Sequence, residues 1–197
     1  MIIGITGGIG SGKSVISKEL RRMGYPVYDT DSEAKRLIVE NVQIRRNIEN
    51  LLGKEVYKDN VYQTQIVASK VFANKSLLVQ LNAIVHPAVR EDILSRTQDF
   101  INNTTSLYFI ECAILYTAHL DDICDKVVAI TAPEAIRLER TIARDSSDKD
   151  KVRARMRMQD VEHDIQRADI IINNDGSTPV PTLCKELLEL ATKIEHL

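Results

Sequence analysis

Residues Gly7 to Ser14 read Gly-Gly-Ile-Gly-Ser-Gly-Lys-Ser, and they follow directly on the apolar run Ile2-Ile3-Gly4-Ile5-Thr6. A strand, a glycine-rich turn, a lysine, a hydroxyl and then a helix form the order a phosphate-binding loop requires. The glycines allow successive backbone N–H groups to turn inward around a polyphosphate. Lys13 supplies a cation to the β/γ oxygens, and the Ser14 hydroxyl is suited to Mg²⁺. Val15, Ile16, Leu20 and Met23 fall on one face of a helix, so a helix is expected to begin where the loop ends, to bury that face and to add its dipole to the anion site. These residues imply binding of a nucleoside triphosphate.

The rest of the chain limits what can be built around that loop. With 197 residues, 44% of them hydrophobic, it has enough apolar surface for one substantial core and an inserted subdomain, and too little for a multi-domain motor. The net charge of −2 gives no global field toward nucleic acid or an anionic membrane. No apolar run approaches the ~18 residues of a membrane span, and the start lacks the charged leader of a signal peptide. Cys112, Cys124 and Cys184 are widely spaced, without a C-x-x-C or His partner. Reduced thiols of a cytosolic protein are therefore expected rather than a zinc site or a disulfide framework.

Strands and helices alternate along the chain. Tyr25 to Tyr28 reads as a second strand running into Asp29-Thr30-Asp31; Leu107 to Cys112, Lys126 to Thr131 and Ala168 to Asn173 read as three more, each apolar enough to be covered on both faces. Thr178 as cap and Pro179 as first residue predict a final helix with Leu183, Leu187, Leu190, Ala191 and Ile194 on its stripe. Between these elements, a stretch of roughly 70 residues from Ser32 to about Asn103 has helical period and no clear strand, too long for a loop and hence an inserted helical subdomain. Within it, a helix is predicted over Ala88 to Phe100, starting after His86-Pro87.

Two segments carry further chemistry. From Arg137 to Arg157, eight Lys/Arg stand against four Asp/Glu, split by the polar break Asp145-Ser146-Ser147-Asp148-Lys149-Asp150. A solvated helix pair has this composition, and so does a mobile lid that brings guanidinium groups to a moving phosphoryl group. Asp29 and Asp31 follow the second strand, at the edge where open α/β sheets hold ligands. Asp31 is suited to accept a hydroxyl proton. Thr30 with Glu33 also reads as a capping box, in which Asp31 would merely favour the helix dipole. Glu111, ending the third strand, is a candidate to hold Mg²⁺ through water.

The ordered set of motifs resembles the dephospho-coenzyme A kinase family over nearly the whole chain. It comprises Gly4 to Ser14, Asp29-Thr30-Asp31, Val85-His86-Pro87, Leu138-Glu139-Arg140-Thr141 with Arg144-Asp145, Gln159, and Ala168 to Gly176. The resemblance implies an α/β fold: a three-layer P-loop kinase with a five-stranded parallel sheet, a helical insert and a helical lid. It implies a nucleotide-binding core over 1–31, 102–135 and 165–197, a substrate-binding insert over 32–101 and an arginine-rich lid over 136–164. The implied activity is transfer of the γ-phosphate of ATP to the ribose 3′-hydroxyl of dephospho-coenzyme A, giving coenzyme A and ADP. ATP and Mg²⁺ are the implied cofactors, a small molecule the partner, with no nucleic acid or membrane, in a cytoplasmic monomer or small homo-oligomer.

By position, Asp31 matches the family's base, and Lys13 and Arg140 match groups on the transferred phosphate. Gly8, Gly10, Ser11, Gly12, Lys13, Ser14 and Val15 match the ATP loop, joined by Arg144 and by Asn173, Asn174 and Gly176 on the adenine side. Asp31, His86 and Arg90 match the substrate side, and Ser14 with Glu111 the metal. The chain departs from the family pattern at Val15, where Thr is usual, at Ala113 and Thr117 after the third strand, and at Thr64-Gln65, where a basic residue is expected. Another small-molecule kinase of this plan remains an alternative. A guanine-nucleotide switch is disfavoured, because Lys126 to Pro133 holds no N-K-x-D-type base motif.

Overall fold

The computed structural model describes residues 1–103, 106–146, 148–159 and 161–193. The predicted stripe residue Ile194 and the break residue Ser147 lie outside the described residues. The chain divides into two compact units, Met1–Tyr28 with the chain from Phe100 on, and Asp29–Asp99.

The first unit is built on a five-stranded parallel sheet. Strand β1 (Ile2–Thr6) leads through the glycine turn into helix α1 (Lys13–Arg22), and strand β2 (Val27–Asp29) follows. Later in the chain come β5 (Tyr108–Glu111), β6 (Lys126–Thr131) and β7 (Ile170–Asn173), giving the order β2-β5-β1-β6-β7. The central strand is therefore the one that carries the phosphate-binding turn. Its register with both neighbours is parallel, Ile5 facing Glu111 on one side and Val128 on the other. Such strands need apolar side chains on both faces, and all five residues of β1 are buried. Helices α1 and α9 (Val180–Lys193) cover one face, with Ile16, Leu20, Leu183 and Leu187 packed on Ile3, Ile5, Val128 and Ile172.

Two carboxylates fasten strand starts that the apolar pattern leaves unmarked. Asp125 Oδ2 accepts from Ile2 N at 2.6 Å, and Asp169 Oδ2 accepts from Val127 N at 2.8 Å. Three further helices, α6 (Glu134–Asp145), α7 (Lys149–Arg157) and α8 (Val161–Arg167), lie between β6 and β7. Asp148 caps α7 by accepting from Asp150 N and Lys151 N.

The second unit contains α2 (Thr30–Glu40), α3 (Val42–Leu52), α4 (Thr64–Ala73) and most of α5 (Lys75–Asn103). It also contains a small antiparallel hairpin, β3 (Tyr57–Lys58) with β4 (Val61–Tyr62), where the sequence showed no strand. Its turn residues Asp59 and Asn60 both adopt positive φ, 50° and 64°, the combination a two-residue type I′ turn needs. The rings of Tyr57 and Tyr62 meet across it at 5.2 Å. The helix expected to start after Pro87 instead runs straight through it, since α5 begins twelve residues earlier. Proline removes one interior hydrogen bond, and the burial of Leu81, Val85, Val89 and Ile93 along α5 outweighs that loss.

Three smaller expectations are corrected. Val15 is 52% exposed and leaves the inner face of α1 to Ile16, Ser17 and Leu20. The cap of α2 is Asp29, whose carboxylate accepts from Asp31 N, Ser32 N and Ser32 Oγ at 3.1, 3.2 and 2.9 Å. Thr30 is buried in the first turn, and Glu33 pairs with Arg36 and Arg96 instead of closing a capping box. Helix α9 starts at Val180, with the Pro179 carbonyl accepting from Leu183 N.

Candidate active site

The loop after β1 is held by backbone geometry. Gly12, the residue before α1, has φ 97°, a left-handed conformation that glycine adopts without steric cost. A Cβ there would collide with Asn174 Nδ2, so glycine serves both the turn and the close approach. The Gly8 carbonyl accepts from Ser11 N at 3.1 Å, and the Gly12 carbonyl accepts from Val15 N and Ile16 N. Helix α1 begins at Lys13, directly after Gly12, so the loop runs into a helix N-terminus, whose dipole favours an anion. The Lys13 ammonium lies along the loop and donates to the carbonyls of Gly7 and Gly8 at 2.6 and 3.2 Å.

Side chains from the end of the chain brace that loop from outside. Asn174, just past β7, is buried; its N–H reaches Thr131 O, and its Nδ2 donates to Ser11 O at 2.9 Å. Its own carbonyl accepts from Arg140 Nη1 at 2.8 Å, and Arg140 Nη2 approaches Gly176, whose φ is 94°. Gln159 Oε1 accepts from Ile9 N at 2.8 Å. Arg140, Asn174, Gly176 and Gln159 thus converge on one turn, although 150 positions separate Gln159 from Ile9 and 163 separate Asn174 from Ser11. Gln159 belonged to the motif set without an assigned contact; no local spacing links residue 159 to residue 9.

The other candidate residues are distributed as follows. Ser14 and Val15 are exposed in the first turn of α1, and Asn173 is exposed at the end of β7, where Nδ2 donates to Asp175 Oδ2 at 3.0 Å. Glu111 is buried at the end of β5. Arg144 is joined to Asp145 at 2.6 Å, and Asp145 also receives Arg155 at 3.1 Å. The two guanidinium groups hold the Asp145 carboxyl down at about 2.

Asp31, His86 and Arg90 belong to the second unit. Asp31 is exposed in the first turn of α2, and Asp29 takes the capping bonds. His86 and Arg90 stand four residues apart on α5 and are partly buried, and burial lowers the pKa of the His86 imidazole. Arg36 on α2 reaches Glu33 at 2.6 Å, Glu40 at 2.9 Å and Asp92 at 3.1 Å, while Arg96 joins Glu33 and Asp92 at 2.7 and 3.1 Å. This network ties the first turns of α2 to α5; the pairs within each helix stand at i,i+3 and i,i+4 spacing, whereas Arg36–Asp92 and Arg96–Glu33, which join the helices, have no local sequence signal.

A parallel sheet whose central strand opens into a glycine-lined anion site, with an arginine from a following helix braced against it, defines a P-loop kinase of small molecules. Comparison with known proteins narrows the class. Residues 1–179 match the family model described as Dephospho-CoA kinase, and the chain belongs to that family. It is 37% identical over 194 residues to a dephospho-CoA kinase of Porphyromonas gingivalis, covering 97% of this chain and 95% of that protein. It is 36% identical over 197 residues to one of Bacteroides fragilis, covering 99% and 95%. Among solved structures, a Thermus thermophilus protein superposes with TM-score 0.80 at 30% identity, covering 100% of this chain and 98% of that one. The dephospho-CoA kinase of Campylobacter jejuni superposes with TM-score 0.74 at 24% identity, covering 98% of each chain, and shares the fold.

Proposed function

We propose that the chain catalyses ATP-dependent phosphorylation of the ribose 3′-hydroxyl of dephospho-coenzyme A, the step that completes coenzyme A. The observation that carries this reading is an intact phosphate loop, braced by Asn174, Arg140 and Gln159, in a chain of the dephospho-CoA kinase family. The 3′-oxygen attacks the γ-phosphorus in line. One P–O bond forms, the bond to the β–γ bridging oxygen breaks, and ADP leaves.

In this scheme the loop from Gly8 to Val15 binds the polyphosphate, and Lys13 neutralises charge on the β/γ oxygens. Arg140, anchored on the Asn174 carbonyl, brings a guanidinium to the transferred group. Arg144, released from Asp145 when nucleotide binds, joins it. Asn173, Asn174 and Gly176 border the adenine. Asp31 accepts the hydroxyl proton; the capping of α2 by Asp29 leaves Asp31 available for that role. His86 and Arg90 bind the coenzyme precursor, Arg90 by charge and His86 as a neutral imidazole.

Among the described residues no cluster of three or more His, Cys, Asp or Glu could cage a metal. Ser14 and Glu111 offer a hydroxyl and a carboxylate oxygen, the hard donors Mg²⁺ prefers, and would hold that ion. When bound, that ion neutralises charge on the β and γ oxygens. The reading implies a cytoplasmic enzyme, acting as a monomer or small homo-oligomer.

Purified protein with ATP, Mg²⁺ and dephospho-coenzyme A should yield coenzyme A and ADP in equal amounts, identified by mass. Pantetheine, which has no ribose, should not be phosphorylated. Hydrolysis of ATP without transfer to dephospho-coenzyme A would overturn the reading.

A further inference from the structure

Arg137 on α6 has no role in the scheme above, yet it lies directly on the loop. A Cβ at Gly8 would overlap its Nη1, and a Cβ at Gly10 would overlap its backbone carbonyl. That carbonyl also accepts from Thr141 Oγ1 at 2.7 Å. The helix is therefore seated on the loop through Arg137 itself. The Nη1 atom is buried and has no hydrogen-bond partner among the described residues. Buried polar groups are nearly always satisfied, and a charged donor more so. A guanidinium held against a phosphate-binding turn with an unused N–H has one obvious kind of partner, an anionic oxygen bound in that turn.

The position along the loop indicates which oxygen. The N–H groups at the start of α1 face the inner phosphates, whereas the lysine of such a loop reaches the β/γ oxygens. Lys13 Nζ lies at the carbonyls of Gly7 and Gly8, the end of the loop where Arg137 also sits. Arg140 Nη1 approaches the other end, at Gly12. Two guanidinium groups, three residues apart on one helix, thus flank the turn, one at each end.

We propose that Arg137 contacts the γ-phosphate of bound ATP, its Nη1 donating to a non-bridging oxygen on the Gly8 side of the loop. The contact strengthens as charge develops on the transferred group, so Arg137 adds to transition-state stabilisation. The assignment rests on the kinase reading only in naming the triphosphate, and nucleotide binding tests it without any acceptor.

The test is calorimetric binding of ATP and of ADP, each with Mg²⁺, to wild type, Arg137→Met and Arg137→Lys, followed by steady-state turnover. Methionine fills similar space without charge. Arg137→Met should weaken ATP binding about tenfold and leave ADP binding within about twofold, an estimate for loss of one charge-assisted bond. It should lower kcat roughly 10²- to 10³-fold. Arg137→Lys should recover only part of each loss, because an ammonium lacks the planar fork. Equal losses for ATP and ADP would overturn the γ assignment, and so would unchanged ATP binding with near-normal kcat. A drop in melting temperature with unchanged nucleotide binding would likewise overturn it, making Arg137 a packing prop. If the wild type binds ATP but does not phosphorylate dephospho-coenzyme A, the acceptor is wrong, and the ATP-against-ADP comparison still decides Arg137.

Discussion

The two units of this molecule are held together by different means. In the first, β1 is buried along its whole length, and the loop after it is fixed by backbone hydrogen bonds, left-handed glycines and the buried Asn174. In the second, the start of α2 is held to α5 by partly exposed ion pairs among Glu33, Arg36, Asp92 and Arg96. Phe72 is 93% exposed and Val79 67%. A site that must meet the same triphosphate geometry each time is best built from rigid backbone, because an error of an ångström costs rate. A region proposed to receive a long, flexible substrate can tolerate side-chain fastening, with its weaker, salt-sensitive energy. Variants in the first unit should therefore lose rate while keeping stability, and variants in the ion-pair network should lose stability and keep most of the rate.

The largest expected effect cuts across this division at one helix end. Asp31→Asn should keep the fold and ATP binding but lower kcat roughly 10²- to 10⁴-fold, the range for a general base. Its neighbour gives the converse. Asp29→Ala removes the cap of α2 and should cost about 1 kcal/mol, seen as a lower melting temperature, although Asp29 is only two residues away. Turnover and thermal unfolding of both variants separate the roles. If Asp29→Ala reproduces the rate loss of Asp31→Asn, the helix start acts as one unit, and the base assignment fails.

Next in size is Lys13→Ala. The ammonium contributes hydrogen bonds to two loop carbonyls and little packing, so the melting temperature should hold while turnover falls roughly 10²- to 10³-fold. A correctly folded Lys13→Ala protein with near-normal kcat would remove the contrast between the units. Arg36→Met should do the reverse. Losing the guanidinium leaves Glu33, Asp92 and Glu40 with less positive charge nearby, at a cost between that of an exposed and that of a buried pair, about 1–2 kcal/mol. Chemical denaturation at low and high salt is the measurement. The difference between Arg36→Met and wild type should shrink in high salt, and a rate loss beyond about tenfold at unchanged stability would mean that the network serves the chemistry directly.

The same contrast explains what the sequence disclosed. The phosphate loop, β6 and the α6–α7 break were legible because short apolar runs, glycines and caps act over a few residues; the five-stranded parallel sheet came with the family resemblance, and the order of its strands had no local signal. Val15 was misassigned to the core face because a β-branched residue at the right spacing reads as buried, while Ser17, which occupies that face, reads as polar. The β3–β4 hairpin was missed because two-residue strands give no alternation; the Asp59-Asn60 pair was its one local signal. The break expected before Ala88 failed because tertiary burial overrode the local preference of Pro87. Within the candidate site, Lys13, Asn174 and Gly176 were marked by motif, whereas the bond from Ile9 to Gln159 and the seat of Arg137 on Gly8 are long-range contacts with no sequence period.

The smallest expected effect concerns His86, in the second unit, and it concerns pH. Burial lowers the imidazole pKa below its ordinary 6.5, since an imidazolium withdrawn from water loses hydration. Between the folded-state and unfolded-state values, the unfolded chain binds the proton and the folded chain does not. Stability therefore rises with pH through this window, and it is diminished once the pH falls below about 6.5. A His86→Gln variant, which keeps polarity but cannot titrate, should show a shallower dependence of melting temperature on pH between about 5 and 7, after subtraction of the carboxylate contribution common to both proteins. The difference should amount to a few degrees at most, because one kilocalorie per mole shifts a chain of this size by about 2–4 °C. If His86 also binds the coenzyme precursor as a neutral group, KM for that substrate should rise on acidification in the wild type and not in the variant. Coincidence of the wild-type and His86→Gln thermal profiles across this range would show that the imidazole is as well solvated in the folded protein as in the unfolded chain.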